Sequence, residues 1–299
     1  MNQGSGMEEA APSSPRLPRG VVWITGASSG IGRAAAELLA ARGWRVAASA
    51  RDEAALSELA SQVDEIHAYP LDVADAAARR EVFRRIREDL GPLDALVNNA
   101  GYGLRGALEE VEAGEARAMF DVNVLAPLAL ARLVLPEMRA RRTGRIVMVS
   151  SVVGRVAMPL SGLYSATKFA LEGLSDALRA EVAPWGIDVI LVEPGPIATR
   201  FGSTARALSR AKLSREDSPY RHAYRRLLRS PLYAPERAWG PRPVAEAIRD
   251  ALESDHPKVR YPVHLVAVWL PRFARLRPAR WMDHLLASRI GLGAGRRLR

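Results

Sequence analysis

Tyr164 and Lys168 stand four residues apart in the run GLYSATKFALEG, residues 162–173. Around them Leu163, Phe169, Ala170, Leu171, Leu174 and Leu178 recur at helical spacing. Positions i and i+4 share a helix face, so the phenol and the ammonium are expected side by side. A free phenol ionises near pH 10. A neighbouring cation favours the phenolate and would make Tyr164 a general acid/base. Taken alone, the pair suits an amphipathic helix with two polar groups at its rim equally well.

A second constellation is Gly26, Gly30 and Gly32 in VVWITGASSGIGRAAAELLAARG. Glycine lets a backbone approach a ligand closely, and the first N–H groups of a helix lack internal partners and attract anions. A phosphate site between a first strand and a first helix follows. Two other motifs share parts of this pattern. A P-loop needs Lys and then Ser or Thr after its last Gly; here Arg33 and Ala34 follow. GASSG also satisfies G-x-S-x-G, the hydrolase elbow with Ser28 as nucleophile. None of His67, His222, His256, His264 and His284 sits in a setting that would complete a triad.

These groups need elements to hold them. From Gly20 short apolar strands alternate with helices: GVVWIT, RVAASA, EIHAYPL, LDALVNN, GRIVMVSS and IDVILVEPG are strand-like, with helical runs between them. Such alternation implies a doubly wound parallel sheet of Rossmann type with helices on both faces. After Pro194 the regularity falls away. Residues 197–233 read as polar, basic and partly helical, RPVAEAIRDALES as a helix, and KVRYPV as a last short strand. The expected organisation is a disordered tail over 1–19, a single catalytic domain over 20–262, and a helical C-terminal extension over 263–299 that packs on the sheet, covers the substrate opening or lies on a membrane surface.

Composition limits the function classes. The 299 residues contain no cysteine, which removes disulfides, Cys-based zinc sites and Cys nucleophiles. The formal charge of +10 raises nucleic acid or an anionic membrane as partner. The arginines, however, are spread along the chain, and a solvated basic surface with no nucleic-acid partner is the expectation. Residues 1–19 lack an apolar run and VHLVAVWL is too short for a bilayer, so cytoplasmic placement is expected, with peripheral contact at a membrane as its variant.

TGASSGIG (25–32), NNAG (98–101), Tyr164-x-x-x-Lys168 and PGPIAT (194–199) occur in this order. Together they resemble the short-chain dehydrogenase/reductase family over roughly residues 20–262. The run from Tyr164 to Gly195 is most similar to the hydroxysteroid and retinol dehydrogenase branch. The resemblance implies that Tyr164 is the general acid/base and that Lys168 activates it and holds the nicotinamide ribose. It implies a serine at the end of the fifth strand that orients the substrate oxygen. Ser150 and Ser151 both qualify by position, only one can face the site, and the family's usual separation from the tyrosine selects Ser151. It further implies Asn123, in MFDVNVLAP, as holder of a water in a proton relay.

The cofactor site it implies comprises Gly26, Ser28, Ser29, Gly30, Ile31 and Gly32 at the phosphates, and Asp72 and Val73 at the adenine. Asn99, Ala100 and Gly101 lie along the adenosine ribose. Tyr164, Lys168, Pro194, Gly195, Ile197 and Thr199 lie toward the nicotinamide. An NAD enzyme usually carries an acid after the second strand; here Ala50 is followed by Arg51, which suits the 2′-phosphate of NADP(H), with Asp52 available to cap the next helix. The expectation is an NADP(H)-dependent alcohol/carbonyl oxidoreductase, without a metal, acting as a homo-oligomer on a lipophilic substrate. Leu104, Val153, Met158, Leu160 and Leu163 are expected near the cleft. The alternative is a non-catalytic NADP-binding regulator on the same fold.

Overall fold

A computed structural model describes residues 20–229 and 239–292. The expected tail (1–19) and the last seven residues of the expected extension lie outside the described residues. Seven strands, β1 Val21–Thr25, β2 Arg45–Ser49, β3 Ile66–Ala68, β4 Leu93–Asn98, β5 Gly144–Val149, β6 Ile187–Pro194 and β7 Arg260–Val263, form one sheet in the order β3-β2-β1-β4-β5-β6-β7. Every pairing is parallel. The chain winds outward in one direction from β1 and in the other from β4. The carboxyl ends of these two strands therefore open a crevice at the topological switch point.

The central strands are continuous apolar runs because both faces are covered. On one face α1 (Gly30–Ala40), α2 (Glu53–Gln62) and α9 (Arg242–Glu253) bury Leu39, Trp44, Leu56, Leu59, Ile248 and Leu252 against the sheet. On the other, α3 (Ala76–Leu90), α5 (Ala126–Arg141) and α6 (Gly162–Val182) bury Ile86, Leu130, Val134, Met138 and Leu171. The segment Ala113–Arg141, which includes α4 (Ala113–Phe120) and α5, is long and apolar enough to cross a membrane by composition. Half of its apolar window is buried in the fold, so its apolarity is accounted for by packing on the sheet.

The third strand is shorter than the run EIHAYPL suggested. Pro70 carries no N–H, and the chain leaves the ladder around it while Tyr69 and Leu71 still donate to Ala48 and Ala50 at 2.8 and 2.9 Å. The irregular region after Pro194 contains α7 (Arg200–Leu213) and α8 (Arg221–Arg229). Beyond β7 come α10 (Leu265–Leu276) and α11 (Ala279–Arg289). They share a cluster of Leu270, Phe273, Ala274, Met282, Leu285 and Leu286 with Val156 and Met158 from the turn after β5.

Candidate active site

The glycine turn lies at the carboxyl end of β1, in the crevice. Gly26 and Gly30 have φ of +68° and +56°, which glycine alone tolerates readily. Gly32 is confined differently: a Cβ there would lie 2.3 Å from the Gly26 carbonyl oxygen and 2.6 Å from Asn99 Nδ2. Asn99 donates to the carbonyls of Thr25 (2.9 Å) and Gly26 (3.2 Å), while Thr25 Oγ1 accepts from the N–H groups of Asn99 and Ala100, each at 3.1 Å. The ends of β1 and β4 are thereby stitched together, and the side-chain amide of Asn99 supports the turn.

At the start of α1, Ser29 occupies the N-cap without capping by its side chain. The N–H groups of Gly30, Ile31 and Gly32 precede the first intrahelical bond. A run of such donors, two of them on glycines without a Cβ, fits the pyrophosphate of a dinucleotide. Thr199, at the N-cap of α7, closes over Gly30, whose added Cβ would meet it at 3.0 Å. The loop 194–199 therefore stands across the crevice from Ser28 and Ile31. Gly195 packs under His264, the N-cap of α10, and Ala198 donates to the Trp239 carbonyl at 2.8 Å. Asp72 is exposed and turns its carboxylate to Ala74 N at 2.9 Å, with Val73 buried beside it.

The second group converges where β5 ends. Tyr164 is buried, and the Ser151 hydroxyl beside its phenol favours the ionised form. Ser151 Oγ also accepts from Val153 N at 3.3 Å and donates to the Pro194 carbonyl at 3.5 Å. Ser150 points the other way, toward Glu172 behind the site. Lys168 is buried, its Nζ 5.8 Å from the Tyr164 ring centre and donating to the Val149 carbonyl at 2.8 Å. Asn123 does not sit in a regular helix: residues Asp121–Leu125 form a π-helical turn between α4 and α5. There its Oδ1 accepts from Tyr102 N at 3.1 Å, and its Nδ2 donates to Tyr102 O at 2.9 Å and Thr167 Oγ1 at 3.1 Å. A Cβ on Gly101 would lie 3.0 Å from Asn123 Oδ1 and 3.8 Å from Lys168 Nζ, so this glycine keeps the asparagine and the lysine close.

Without a cofactor the chain's own groups leave the phenol protonated. Burial pushes Tyr164 up to about 12, with Ser151 and the charge of Arg105 opposing it, and burial takes Lys168 down to about 8 against Glu172, which favours its charged form. The protein's own groups thus do not depress the phenol. Desolvation exceeds the help of Ser151 and Arg105, and Lys168 turns its ammonium to a backbone carbonyl. Two apolar residues also lie elsewhere than expected. Leu104, Leu163 and Val153 join Tyr164 in one cluster, but Met158 packs under α10 and α11, and Leu160 belongs to the cluster of Tyr224 and Leu227 on α8.

Sequence reasoning missed Phe201, whose ring lies 5.3 Å from that of Tyr164, and Arg105. Phe201 sits beyond the PGPIAT motif in a run without periodicity, and Arg105 resembles any other surface arginine. Only the motif NNAG, four residues before Arg105, placed that loop near the crevice.

A doubly wound sheet with an anion-binding glycine turn at its switch point, facing a buried tyrosine, lysine and serine, defines a nucleotide-dependent enzyme of the Rossmann type. Residues 20–209 match the short chain dehydrogenase family, and the chain belongs to it. It is an oxidoreductase acting on CH–OH donors with a nicotinamide cofactor. It is 35% identical over 269 residues to the uncharacterized oxidoreductase YbbO of Escherichia coli strain K12, covering 89% of this chain and 93% of that one. It is also 35% identical over 257 residues to human 17-beta-hydroxysteroid dehydrogenase type 1, covering 82% and 77%. Similar solved structures include a short-chain dehydrogenase from Streptomyces avermitilis (TM-score 0.76, 32% identity, 97% and 100% covered). Two others are a Burkholderia phymatum enzyme in complex with NAD (0.74, 26%, 92% and 96%) and a Sphingobium yanoikuyae enzyme in complex with NADPH (0.68, 28%, 94% and 98%).

Proposed function

We propose that the protein interconverts a lipophilic alcohol and its carbonyl compound with NADP(H), using Tyr164 as acid/base. The observation that carries this reading is the convergence of Tyr164, Ser151, Lys168 and Asn123 opposite the glycine turn. A bound nicotinamide supplies or accepts the hydride. In the reducing direction Tyr164 gives its hydroxyl proton to the carbonyl oxygen as negative charge develops there, and Ser151 donates a hydrogen bond to the same oxygen. Lys168 holds positive charge behind the phenol and would steady a ribose hydroxyl of the cofactor. Asn123, held on three sides, keeps the wall beside Lys168 in place for proton return. In the oxidising direction a cationic nicotinamide beside Tyr164 would favour its ionised form, which the chain's own groups do not.

The preference for NADP(H) rests on Arg51, which is exposed just beyond β2 and whose charge reaches Tyr102. Arg33, the other candidate, is held by Glu37 at 2.8 Å and Gln62 at 3.1 Å. Asp52, the acid that would repel a 2′-phosphate, caps α2 through Ala55 N at 3.1 Å and meets Arg200 at 3.5 Å. The lipophilic substrate class is supported by Leu104, Val153, Leu163 and Phe201 around Tyr164, and agrees with the steroid named for the human relative. Cytoplasmic placement and self-association remain parts of the same proposal. Contact with an anionic membrane is added by the outer face of α10. There Leu265 (66% exposed), Trp269 (63%) and Leu276 (82%) lie among Arg272, Arg275 and Arg277, an apolar stripe with a basic rim.

Assaying the purified chain against panels of alcohols and carbonyl compounds with NADPH and NADH, followed by nicotinamide absorbance, tests the reading. Turnover that prefers NADPH and vanishes in Tyr164→Phe is the expected result. Cofactor binding without turnover of any panel member would favour a regulator instead.

A further inference from the structure

We propose that Arg105 is a positioning residue for the reaction: from the loop after β4, its guanidinium fastens the N-terminus of α6 and holds a fixed positive charge beside Tyr164. The inference rests on the reading of Tyr164 as acid/base.

The loop 102–107 is fixed at nearly every residue. Tyr102 N donates to Asn123 Oδ1 at 3.1 Å, Arg105 N to Ser209 Oγ on α7 at 2.8 Å, Gly106 N to the Leu160 carbonyl at 2.9 Å, and Ala107 N to the Tyr224 hydroxyl at 2.9 Å. Leu104, next to Arg105, packs in one cluster with Leu163 and Tyr164. From this base Arg105 Nη1 donates to Ser161 Oγ. Ser161 is buried and is the N-cap of α6, three residues before Tyr164. A serine at that position ordinarily accepts from the helix's own N–H groups; here its side chain makes no such bond. The preceding residue, Leu160, has φ +58°, a conformation that bulky residues rarely adopt, and the Gly106 and Ser161 contacts bracket it.

A cation at a helix N-terminus is placed at the end where the macrodipole disfavours it. The arrangement therefore works against local stability. It works in favour of an anion at Tyr164, because the helix end and the guanidinium act with the same sign there. The other groups facing the phenol do not replace it. Ser151 is a neutral hydrogen-bond partner, Tyr102 and Phe201 are neutral rings, and the Lys168 ammonium is directed to Val149 with Glu172 a turn beyond it. Among the described residues, Arg105 is the charge that opposes the upward shift of Tyr164.

The test is a direct titration. The full chain with 13C at Cζ of its seven tyrosines is titrated by NMR with NADP+ bound, the Tyr164 signal being assigned by its loss in Tyr164→Phe. Three variants separate charge from tether: Arg105→Lys keeps the charge, Arg105→Gln keeps an N–H for Ser161 without the charge, and Arg105→Met removes both. The expected result is a Tyr164 midpoint about half to one pH unit higher in the Gln and Met variants, largely restored in the Lys variant. The NADP+ dissociation constant should stay within about twofold if Arg105 acts on the phenol alone. A midpoint unchanged in the Gln variant, or not restored by Lys, overturns the proposal, and either variant suffices should Met fail to fold. A third arm compares 4-carboxybenzaldehyde with 4-nitrobenzaldehyde as probes. A rise of KM confined to the carboxylate probe, with the midpoint unmoved, would make Arg105 an anchor for anionic substrates and also overturn it. Failure of the underlying reading is distinguishable, because it shows as turnover retained in Tyr164→Phe.

Discussion

Lys168 reaches from the second turn of α6 to the last residue of β5, where its ammonium donates to the Val149 carbonyl at 2.8 Å. The contact ties the catalytic helix to the sheet and sets where the charge stands relative to Tyr164. It also carries a cost, because burial takes the lysine from 10.5 down to about 8.

That cost has a definite pH dependence. The unfolded chain binds the proton more tightly, so the penalty is full below about pH 8 and is relieved as pH rises toward 10.5. Lys168→Met removes up to about 3 kcal/mol of penalty and leaves the Val149 carbonyl without its partner, which costs about 1–3 kcal/mol. The variant should have a melting temperature at pH 7 close to that of the wild type, should lack the wild type's relative gain between pH 8 and 10, and should lose turnover. Melting curves across that pH range check the sign.

Tyr164→Phe removes one hydroxyl from a buried ring that keeps its contacts with Leu104, Leu163 and Phe201. We expect kcat to fall by about 10²–10⁴-fold, the range for a lost general acid, with cofactor affinity nearly unchanged. Equilibrium titration of NADPH fluorescence against steady-state rates separates the two quantities.

Gly32→Ala places a Cβ 2.3 Å from the Gly26 carbonyl oxygen, backbone against backbone. No side chain can swing away to relieve it, so the turn between β1 and α1 must open. The expected loss is more than about 2 kcal/mol of stability together with cofactor binding. Gly114→Ala is the control, since nothing lies within 4 Å of its Cβ position. Denaturant unfolding of the two variants decides it.

Arg51→Asp exchanges an exposed guanidinium for a carboxylate at the end of β2. Charge-assisted hydrogen bonds of about 1.5–3 kcal/mol correspond to a shift of about ten- to a hundredfold in the NADPH/NADH ratio of kcat/KM. An unchanged ratio would transfer the phosphate contact to another arginine, Arg33 after the glycine turn being the alternative.

Trp269→Ser and Leu265→Ser alter the outer face of α10 only, since the inner face packs through Ala267, Leu270 and Phe273. Binding to vesicles containing phosphatidylserine should weaken by about tenfold or more per large apolar group lost, and wild-type binding should fall as salt is raised. Melting temperature should not move. Sedimentation of vesicles with and without the substitutions provides the measurement; equal binding would remove the membrane from the proposal.

Local pattern determined much of this protein. The alternation of apolar strands and helices is written in short windows, and so are the glycine turn and the i, i+4 placement of Tyr164 and Lys168, because secondary structure and its faces follow from neighbours in sequence. Tertiary structure decided the rest. Arg105 meets Ser161 across 56 residues, and Phe201 meets Tyr164 from a segment with no readable period. Leu160 and Met158 turn from the cleft toward α8, α10 and α11. The tyrosine's proton affinity depends on how much water the packed fold removes and on which charges it brings near. Such quantities are sums over distant parts of the chain, and no stretch of residues carries them alone.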